Sequence, residues 1–369
     1  MKMHIATSLE KYTKEQLSAR EAQRLAEFIS WGPAVFQASR LMIKFGILDM
    51  LRDSDNGLTR TEIVQKTSLS DYAVKCLLEA SLCIGTVLID PDTERYTISK
   101  AGWFLLNDKI TRINIDFNHD LNYKAWYNLE ESLLNGRPEG LKIFGPWATV
   151  YEGLSQLPEN VQESWFGFDH FYSDSAFPQA LDIVLNKHNV KTLYDIGGNT
   201  GKWALQCVDY KDDVVVTVID LPQQIQLLQQ NIASHPNSRR IKGLSIDILD
   251  KDSTIPQPKQ GLDAIWMSQF LDCFSMEQIV GILNKVKTAM TSTTRVYIME
   301  TLWDRQKYEP AAMNLMLTSL YFTAVANGNS KMYNTEDMQA CIETSGLEIE
   351  EIHDHLGLGH CIIVCRIKQ

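Results

Sequence analysis

The hydrophobic positions follow helical spacing in the first third of the chain and alternate between strand and helix patterns in the last half. Between residues 34 and 51, apolar side chains recur every three or four positions, which predicts an amphipathic helix with one buried face. From about residue 181 onward, short β-branched runs alternate with helical stretches. This alternation predicts an α/β fold with a mostly parallel sheet.

Residues 1–105 have the pattern of a helical domain that ends in a small β ribbon. Thr59 followed by Glu62 is a capping-box pattern, and Ser70 is a candidate N-cap for the next helix. These two short helices precede two strand-like runs that an Asp-Pro-Asp turn separates. The order predicts a helix-turn-helix with a β wing.

A winged helix suggests DNA binding, but the charges argue against it. The would-be recognition helix carries Lys75 against Asp71 and Glu79, whereas a groove-reading helix needs Arg, Lys, Asn or Gln. The whole chain has 35 Lys and Arg against 46 Asp and Glu, a net charge of −11. We therefore expect no nucleic-acid partner, and we expect the winged helix to serve dimerisation or to cover a substrate.

The middle of the chain, residues 106–180, is helical in pattern and rich in aromatic residues. Such a density of rings between two domains is what a cleft for a planar apolar substrate requires, although some of the rings must belong to an ordinary core. We therefore expect three parts, with boundaries 1–105, 106–180 and 181–369. The aromatic positions are Tyr123, Trp126, Tyr127, Phe144, Trp147, Tyr151, Trp165, Phe166, Phe168, Phe171 and Tyr172.

The composition predicts a cytoplasmic protein without a membrane partner. No apolar run approaches the roughly 18 residues of a membrane span, and the first thirty residues lack a signal-peptide core. The seven cysteines are scattered and are expected to be reduced thiols. We expect no metal site, since His353, His355 and His360 occupy alternating strand positions without a nearby carboxylate pair.

A glycine-rich turn follows the first strand of the α/β part and opens directly into a helical pattern. Such a turn lays a nucleotide-like ligand against a helix N-terminus, and glycines let the backbone approach closely. The turn does not match the dinucleotide-binding fingerprint, because an asparagine stands where the second glycine of that pattern is needed. It does not match a Walker A loop either, because no Gly-Lys-Ser/Thr follows. A turn without a ligand is the alternative. The residues of the turn are Asp195, Gly197, Gly198, Asn199 and Gly201.

Acids also follow the next two strand-like runs. Asp220 lies 19 residues after Gly201, the usual distance to the next strand tip of a βαβ unit, and Leu221 then leads into a helix. A carboxylate there can accept hydrogen bonds from both hydroxyl groups of a ribose. Asp247 follows the third run, where it could accept an adenine amino group. A single acidic residue after a strand is often the cap of a turn or helix. Three acidic residues at the ends of three consecutive predicted strands favour a nucleotide site instead.

With these features the chain resembles the S-adenosylmethionine (SAM)-dependent O-methyltransferases of the plant caffeate and bacterial hydroxyneurosporene type. The resemblance lies in Asp195–Gly201, in Asp220-Leu221-Pro222, in runs 266–277 and 296–300, and in the winged helix, and it covers nearly the whole chain. It implies a Rossmann-like class I domain with a seven-stranded, mostly parallel sheet that ends in an antiparallel hairpin. An otherwise all-helical winged-helix dimerisation domain would precede it, and the protein would be a homodimer.

The resemblance also implies SAM as the cofactor. Gly197 and Gly198 would line its methionine part, Asp220 would bind the ribose, and Asp247 with Ile248 would flank the adenine. The full set expected to hold SAM is Asp195, Gly197, Gly198, Asn199, Gly201, Asp220, Leu221, Asp247, Ile248, Ser268 and Gln269. The last two follow the fourth predicted strand, within reach of cofactor or substrate.

The catalytic pattern departs from the family, which has a histidine base in a Leu-His-Asp-Trp-Ser run. Here the run is Leu-Asp-Cys-Phe-Ser, so that Asp272 takes the histidine position. Glu300 keeps an acid after the fifth strand, whereas the second expected acid falls near Met332. A carboxylate of pKa about 4 is a poor base for a phenol of pKa about 10, but burial and the charge of Glu300 would raise the pKa of Asp272. Alternatively, Asp272 caps the following helix or binds a substrate amine or hydroxyl.

His170 is a second candidate for catalysis or for a place beside the cofactor. Asp169 and Asp174 flank it, and a carboxylate partner would fix its tautomer and raise its basicity. The alternative is a histidine that serves packing alone.

The expected function is SAM-dependent methyl transfer to a hydroxyl of a small, aromatic molecule. The alternative within the enzyme class is N- or C-methylation, where alignment alone suffices and the missing histidine is better explained. A catalytically silent SAM-binding regulator is the alternative from another class. The sequence does not identify the methyl acceptor.

Overall fold

The computed structural model describes residues 12–173, 175–258 and 261–369. The chain divides into two compact units, one of residues 14–120 and one built on residues 121–369. Within the described ranges, no helix is long and apolar enough to cross a membrane. The three boundaries expected from the sequence stay predictions.

The first unit consists of short helices and one β ribbon. β1 (Val87–Ile89) and β2 (Tyr96–Ile98) pair antiparallel, as the wing pattern predicted. Thr59 and Glu62 form the predicted capping box, and Ser70 caps the helix that follows it. The helices are α1 Ala19–Ser30, α2 Gly32–Lys44, α3 Ile47–Arg52, α4 Arg60–Lys66, α5 Asp71–Ile84, α6 Lys100–Asn107 and α7 Lys109–Phe117.

The helix predicted over residues 34–51 is in fact two helices. α2 ends at Lys44, and Gly46 adopts φ +70° before α3 begins at Ile47. A left-handed residue ends an α-helix, so the apolar periodicity continues while the axis changes direction. The side chains of Met42 and Leu48, on either side of the break, are nevertheless buried in the same core.

A seven-stranded sheet organises the second unit. Its spatial order is β5-β4-β3-β6-β7-β9-β8, parallel from β5 through β7 and antiparallel for the last two pairs. The predicted mostly parallel sheet with a terminal antiparallel hairpin is therefore confirmed. The strands are β3 Thr192–Ile196, β4 Val215–Asp220, β5 Ile241–Ser245, β6 Ala264–Ser268, β7 Arg295–Glu300, β8 Leu347–Leu356 and β9 His360–Ile367.

Helices precede this sheet in the chain and connect its strands. The bounds are α8 Tyr123–Ala125, α9 Leu129–Asn135, α10 Val150–Gly153, α11 Glu159–Ser173, α12 Phe177–Leu181, α13 Lys202–Tyr210, α14 Pro222–Ile232, α15 Met276–Ala289, α16 Glu309–Tyr321 and α17 Thr335–Thr344. Short π-helical segments follow α7, α12 and α16, at Asn118–Asn122, Asp182–Lys187 and Phe322–Ala326. Short 3-10 turns occur at Trp126–Asn128, Glu139–Ile143, Leu154–Gln156, Ser238–Arg240, Leu271–Cys273 and Trp303–Arg305.

Both faces of the central strands β3, β6 and β7 are buried, as is usual in a parallel sheet. On one face Trp203 of α13 stacks on Trp266 of β6, with ring centroids 4.1 Å apart and planes 12° from parallel. On the other face Ile265 and Met267 of β6 pack in one core with Ile279 of α15. Alternate residues of β6 therefore pack against helices on opposite faces of the sheet. This packing fixes the position of the end of β6.

The turn between β3 and α13 requires glycine at Gly201. Its φ is +82°, and a Cβ built there would overlap the side chain of Leu228 in α14. The N–H of Gly201 donates to the carbonyl of Gly198 at 2.8 Å, which closes the turn. The chain therefore enters α13 tightly against α14.

We predict that Gly201→Ala lowers the free energy of unfolding by about 1–3 kcal/mol or more, because the new methyl group adds a clash to an unfavourable φ. Urea denaturation of the purified variant measures the loss. The matched control is Gly281→Ala in α15, where a Cβ meets nothing within 4 Å. That variant should be neutral or more stable by up to about 1 kcal/mol. Equal effects of the two substitutions would contradict this account of the turn.

Candidate functional site

The glycine turn lies against the segment that follows β6. Gly197 has φ +72°, and a Cβ there would overlap the ring of Phe270. Its N–H donates to the carbonyl of Ile219 in β4 at 2.9 Å, so the turn is held to the neighbouring strand. The first glycine therefore allows close contact between the ends of β3 and β6.

Asp195 is buried at the end of β3, beneath this turn. A Cβ at Gly198 would overlap its carboxyl oxygen Oδ2. That oxygen has no hydrogen-bond partner within the described residues. Burial, and secondarily the carboxylate of Asp220, raises the pKa of Asp195 to about 8. A cationic or hydrogen-bond-donating ligand group beside the turn would stabilise this carboxyl.

Asp220 connects the end of β4 to the glycine turn. Its Oδ2 accepts the N–H of Asn199 at 2.8 Å, and its Oδ1 accepts the N–H of Leu221 at 2.7 Å. Burial raises its pKa, and these two hydrogen bonds oppose the rise. An ionised carboxylate has about four acceptor positions, so two remain for the hydroxyls of a ribose. Asn199, which donates this hydrogen bond, has a left-handed backbone conformation with φ +50°.

The segment after β5 brings Asp247 to the same edge of the sheet. The N–H of Ile246 donates to the carbonyl of Asp220 at 3.0 Å, and the exposed Asp247 follows directly. Its carboxylate accepts the N–H of Leu249 at 2.9 Å, which makes Asp247 a turn residue as well. Ile248 is buried in the core below the sheet edge. Their predicted contact with an adenine stays a prediction.

Ser268 ends β6, and Gln269 follows it in a left-handed conformation with φ +45°. The N–H of Gln269 donates to the carbonyl of Met299 in β7 at 2.9 Å. Its side-chain Oε1 is buried and unpartnered in the described part of the chain. Strained backbone of this kind concentrates at ligand sites, and the unpartnered oxygen would accept a donor from a ligand.

Asp272 and Glu300 are both buried where β6 and β7 end. Glu300 accepts the N–H groups of Phe270 and Leu271 through one oxygen, at 3.1 and 2.9 Å. Burial, and then the charge of Asp272, raises the pKa of Glu300 well above its usual range. Burial raises the pKa of Asp272 to about 7. The two carboxyls therefore share a site in which full ionisation of both is unfavourable at neutral pH.

The aromatic segment contributes residues beside Asp272: Tyr151 and Trp165 were among the rings expected for a substrate cleft, whereas Asp169 was expected only as a partner of His170. The carboxylate of Asp169 in α11 also raises the pKa of Asp272, and the phenol of Tyr151 interacts with the thiol of Cys273. Trp165, four residues before Asp169 in α11, donates from Nε1 to the hydroxyl of Tyr321 at 2.7 Å. The i, i+4 spacing of Trp165 and Asp169 on α11 was the available sequence signal.

The remaining candidate residues lie as follows. The side chain of His170 is outside the described residues, although its backbone belongs to α11. Met332 is buried, with its sulfur 3.9 Å from the hydroxyl of Thr301, which follows Glu300. A methionine thus stands beside the end of β7, where it cannot orient a base by a charge.

The three C-terminal histidines do not form a group. His360 is fully buried, and burial lowers its pKa to about 4. His355 is exposed. His353 lies near His188 and Glu351 instead, a grouping that the sequence did not reveal.

Comparison with known proteins identifies the family. The model of the O-methyltransferase domain matches residues 126–347, and a Dimerisation2-like domain matches residues 23–96. The O-methyltransferase pgmB of Aspergillus terreus is 25% identical over 183 residues, which cover 48% of this chain and 40% of pgmB. The match thus spans less than half of the length of that relative.

Solved structures show the same fold. The SAM-dependent methyltransferase SibL, in its apo form, aligns with a TM-score of 0.69 and 19% identity over 93% of this chain and 98% of SibL. Human N-acetylserotonin methyltransferase in complex with SAM aligns with a TM-score of 0.61 and 14% identity, over 96% and 100% of the two chains. The α/β class I fold with an N-terminal helical region is confirmed. With its second unit matched along most of its length, this chain belongs to the O-methyltransferase family.

Proposed function

We propose that this protein is a SAM-dependent methyltransferase that transfers a methyl group to a hydroxyl of a small aromatic molecule. The proposal rests on the contact between the glycine turn and the segment that holds the carboxyl pair Asp272 and Glu300. Gly197 packs on Phe270, and the backbone of Phe270 donates to Glu300 beside Asp272. Cofactor and nucleophile groups would thus meet at one edge of the sheet, as methyl transfer requires.

The cofactor site comprises the turn from Asp195 to Gly201, Asp220 with Leu221, Asp247 with Ile248, and Ser268 with Gln269. The ribose would take the two remaining acceptor positions of Asp220. The unpartnered oxygen of Asp195 is suited to a positive or hydrogen-bond-donating group, and the methionine part of SAM carries an ammonium. Human N-acetylserotonin methyltransferase, which shares the fold, was crystallised with SAM.

Asp272 is the proposed base. Bound SAM would supply the methyl group from its sulfonium, and the neutral thioether S-adenosylhomocysteine would be the leaving group. Asp272 would take the hydroxyl proton of the acceptor, while Glu300 holds the neighbouring backbone through Phe270 and Leu271. Because burial raises the pKa of Asp272 to about 7, its carboxylate is a better base than an ordinary aspartate. His170, on the same helix as Asp169, stays the second candidate.

The acceptor would lie among aromatic groups. Trp165 and Tyr321 are hydrogen-bonded to each other, Tyr151 interacts with Cys273 beside the carboxyl pair, and burial raises the pKa values of both phenols. Phe270 packs edge-on against Phe274, with ring centroids 4.9 Å apart. Rings in these positions favour a flat apolar acceptor over a sugar-like one.

We further propose a homodimer formed by the first unit. Leu25, Phe28 and Ile29 of α1 are exposed, and no residue of α1 is buried in the single chain. An amphipathic helix with an uncovered apolar face is suited to a subunit interface, and this region matches a dimerisation-domain model. We place the protein in the cytoplasm, because all seven cysteines have free thiols.

Asp220→Ala should abolish binding of S-adenosylhomocysteine in calorimetric titration, because it removes the ribose acceptor and releases the Asn199 and Leu221 N–H groups. Asp212→Ala, at an exposed position just before β4, is the control and should bind as the wild type does. An Asp220→Ala protein that binds with unchanged affinity would show that the cofactor assignment is wrong.

A base must be ionised to act, so the single-turnover rate of methyl transfer to a hydroxylated aromatic should fall as the pH drops through about 7, where Asp272 gains its proton. Asp272→Asn should lower the rate by about 10²–10⁴-fold and remove this pH dependence, with S-adenosylhomocysteine binding retained. The measurement is the rate of methyl transfer from labelled SAM between pH 5.5 and 9.

Asp304→Asn is the matched control for Asp272→Asn. Asp304 is equally buried, but its carboxylate accepts the N–H of Thr335, and an asparagine oxygen can keep that hydrogen bond. Full activity of Asp272→Asn would rule out Asp272 as the base. It would favour N- or C-methylation, in which alignment alone suffices.

A further inference from the structure

A second polar cluster lies before β3, whereas the candidate site lies after it. His188, Glu351 and His353 offer one ligand atom each, and these atoms lie within 4.8 Å of one another. The Oε2 atom of Glu351 is 2.8 Å from Nε2 of His353 and 3.5 Å from Nε2 of His188. In a tetrahedral zinc site, the metal–ligand distances put neighbouring ligand atoms about 3.3 Å apart. Small rotations of these side chains would meet that geometry.

The backbone fixes two of the three ligands on one face. Glu351 and His353 are two residues apart in β8, the edge strand, and side chains at i and i+2 of a strand point to the same face. His188 follows the π-helical segment Asp182–Lys187 and precedes β3. The three donors therefore come from two chain segments that are far apart in sequence.

The surroundings of His188 orient its ring. Its Nδ1 atom lies 2.9 Å from the hydroxyl of Tyr297, a buried residue of β7, so that Nε2 faces Glu351. Histidine ligands in metalloproteins are held in this way, with the second ring nitrogen hydrogen-bonded to a fixed group. A histidine that merely covers the surface does not need such a partner.

A cation already occupies the position that faces Glu351. The ammonium of Lys187 lies 2.7 Å from the same Oε2 atom. Lys187 is 51% exposed, so its flexible side chain can leave for solvent when another cation arrives. The side chains of His188 and His353 are 18% and 21% exposed, which leaves an approach for an ion from solvent.

We propose that His188, Glu351 and His353 form a binding site for a divalent transition-metal ion, with zinc as the best fit. Two imidazoles and one carboxylate are a zinc donor set, and water would complete the coordination. The same donors suit copper or nickel and discriminate against magnesium and calcium, which require oxygen ligands. The bound ion would connect β8 to the segment before β3. It would raise the stability of the fold and would take no part in methyl transfer.

The test is calorimetric titration of the tag-free, chelator-treated full chain with zinc chloride. The wild type should bind one ion per chain and should show a higher melting temperature with zinc. His188→Ala and His353→Ala should lose the binding and the thermal shift. Tyr297→Phe, which keeps the ring and removes the hydroxyl, should weaken binding by about tenfold or more. Magnesium chloride should produce no heat.

Two further variants separate this site from adventitious binding. His355→Ala removes an exposed imidazole two residues along the chain and should leave zinc binding unchanged. Lys187→Met removes the competing ammonium and should tighten zinc binding. The proposal is overturned if the wild type shows no saturable binding, if His355→Ala and His353→Ala lose it equally, or if Lys187→Met weakens it. Melting curves without metal establish that each variant is folded.

Discussion

The structure of the second unit depends on the burial of carboxyl groups at the carboxyl edge of a parallel sheet. Asp195, Asp272 and Glu300 are each buried there, and burial is the main cause that raises each pKa. Burying a carboxyl group costs free energy unless hydrogen-bond donors of the backbone or of a ligand replace the lost water. Glu300 obtains two backbone N–H groups at Oε1, whereas Oε2 of Glu300 and Oδ2 of Asp195 obtain none within the described ranges. Each of these two carboxyls therefore keeps one buried oxygen that a donor from a ligand would stabilise.

Carboxyl groups also hold the backbone at the strand ends through hydrogen bonds. Asp220 accepts the N–H of Asn199 in the glycine turn and that of Leu221 after β4, and Glu300 accepts two N–H groups from the segment after β6. Phe270 lies between the two arrangements, against Gly197. The turn and the carboxyl pair are thus positioned relative to each other before any ligand binds, which lowers the entropic cost of aligning two reactants.

Local patterns in the sequence predicted much of this architecture. The strand-turn-helix at Asp195–Gly201, the Thr59 capping box and the terminal hairpin were read correctly, because each depends on residues close together in the chain. The helix predicted over residues 34–51 was wrong, because Gly46 interrupts the axis without interrupting the apolar periodicity. The proximity of Asp272 and Glu300 was also predictable from the sequence, because the two residues lie at the ends of neighbouring strands.

Contacts between distant residues could not be predicted in this way. Asp169 approaches Asp272 across about a hundred positions, and His188 meets Glu351 and His353 only because β8 lies at the sheet edge. The sequence places three histidines between residues 353 and 360, for which no metal site was expected, and in the fold their side chains differ in burial. Such groupings depend on tertiary packing, which a pattern of one chain does not contain.

The central claim is that the edge formed by β3, β4, β5 and β6 is a preformed SAM site. Titration of the wild-type protein with SAM and with S-adenosylhomocysteine tests it most directly. We expect both to bind at one site per chain with micromolar affinity, the product at least as tightly as SAM. Absence of binding by either compound would contradict the claim and would leave a methyltransferase fold with a different ligand.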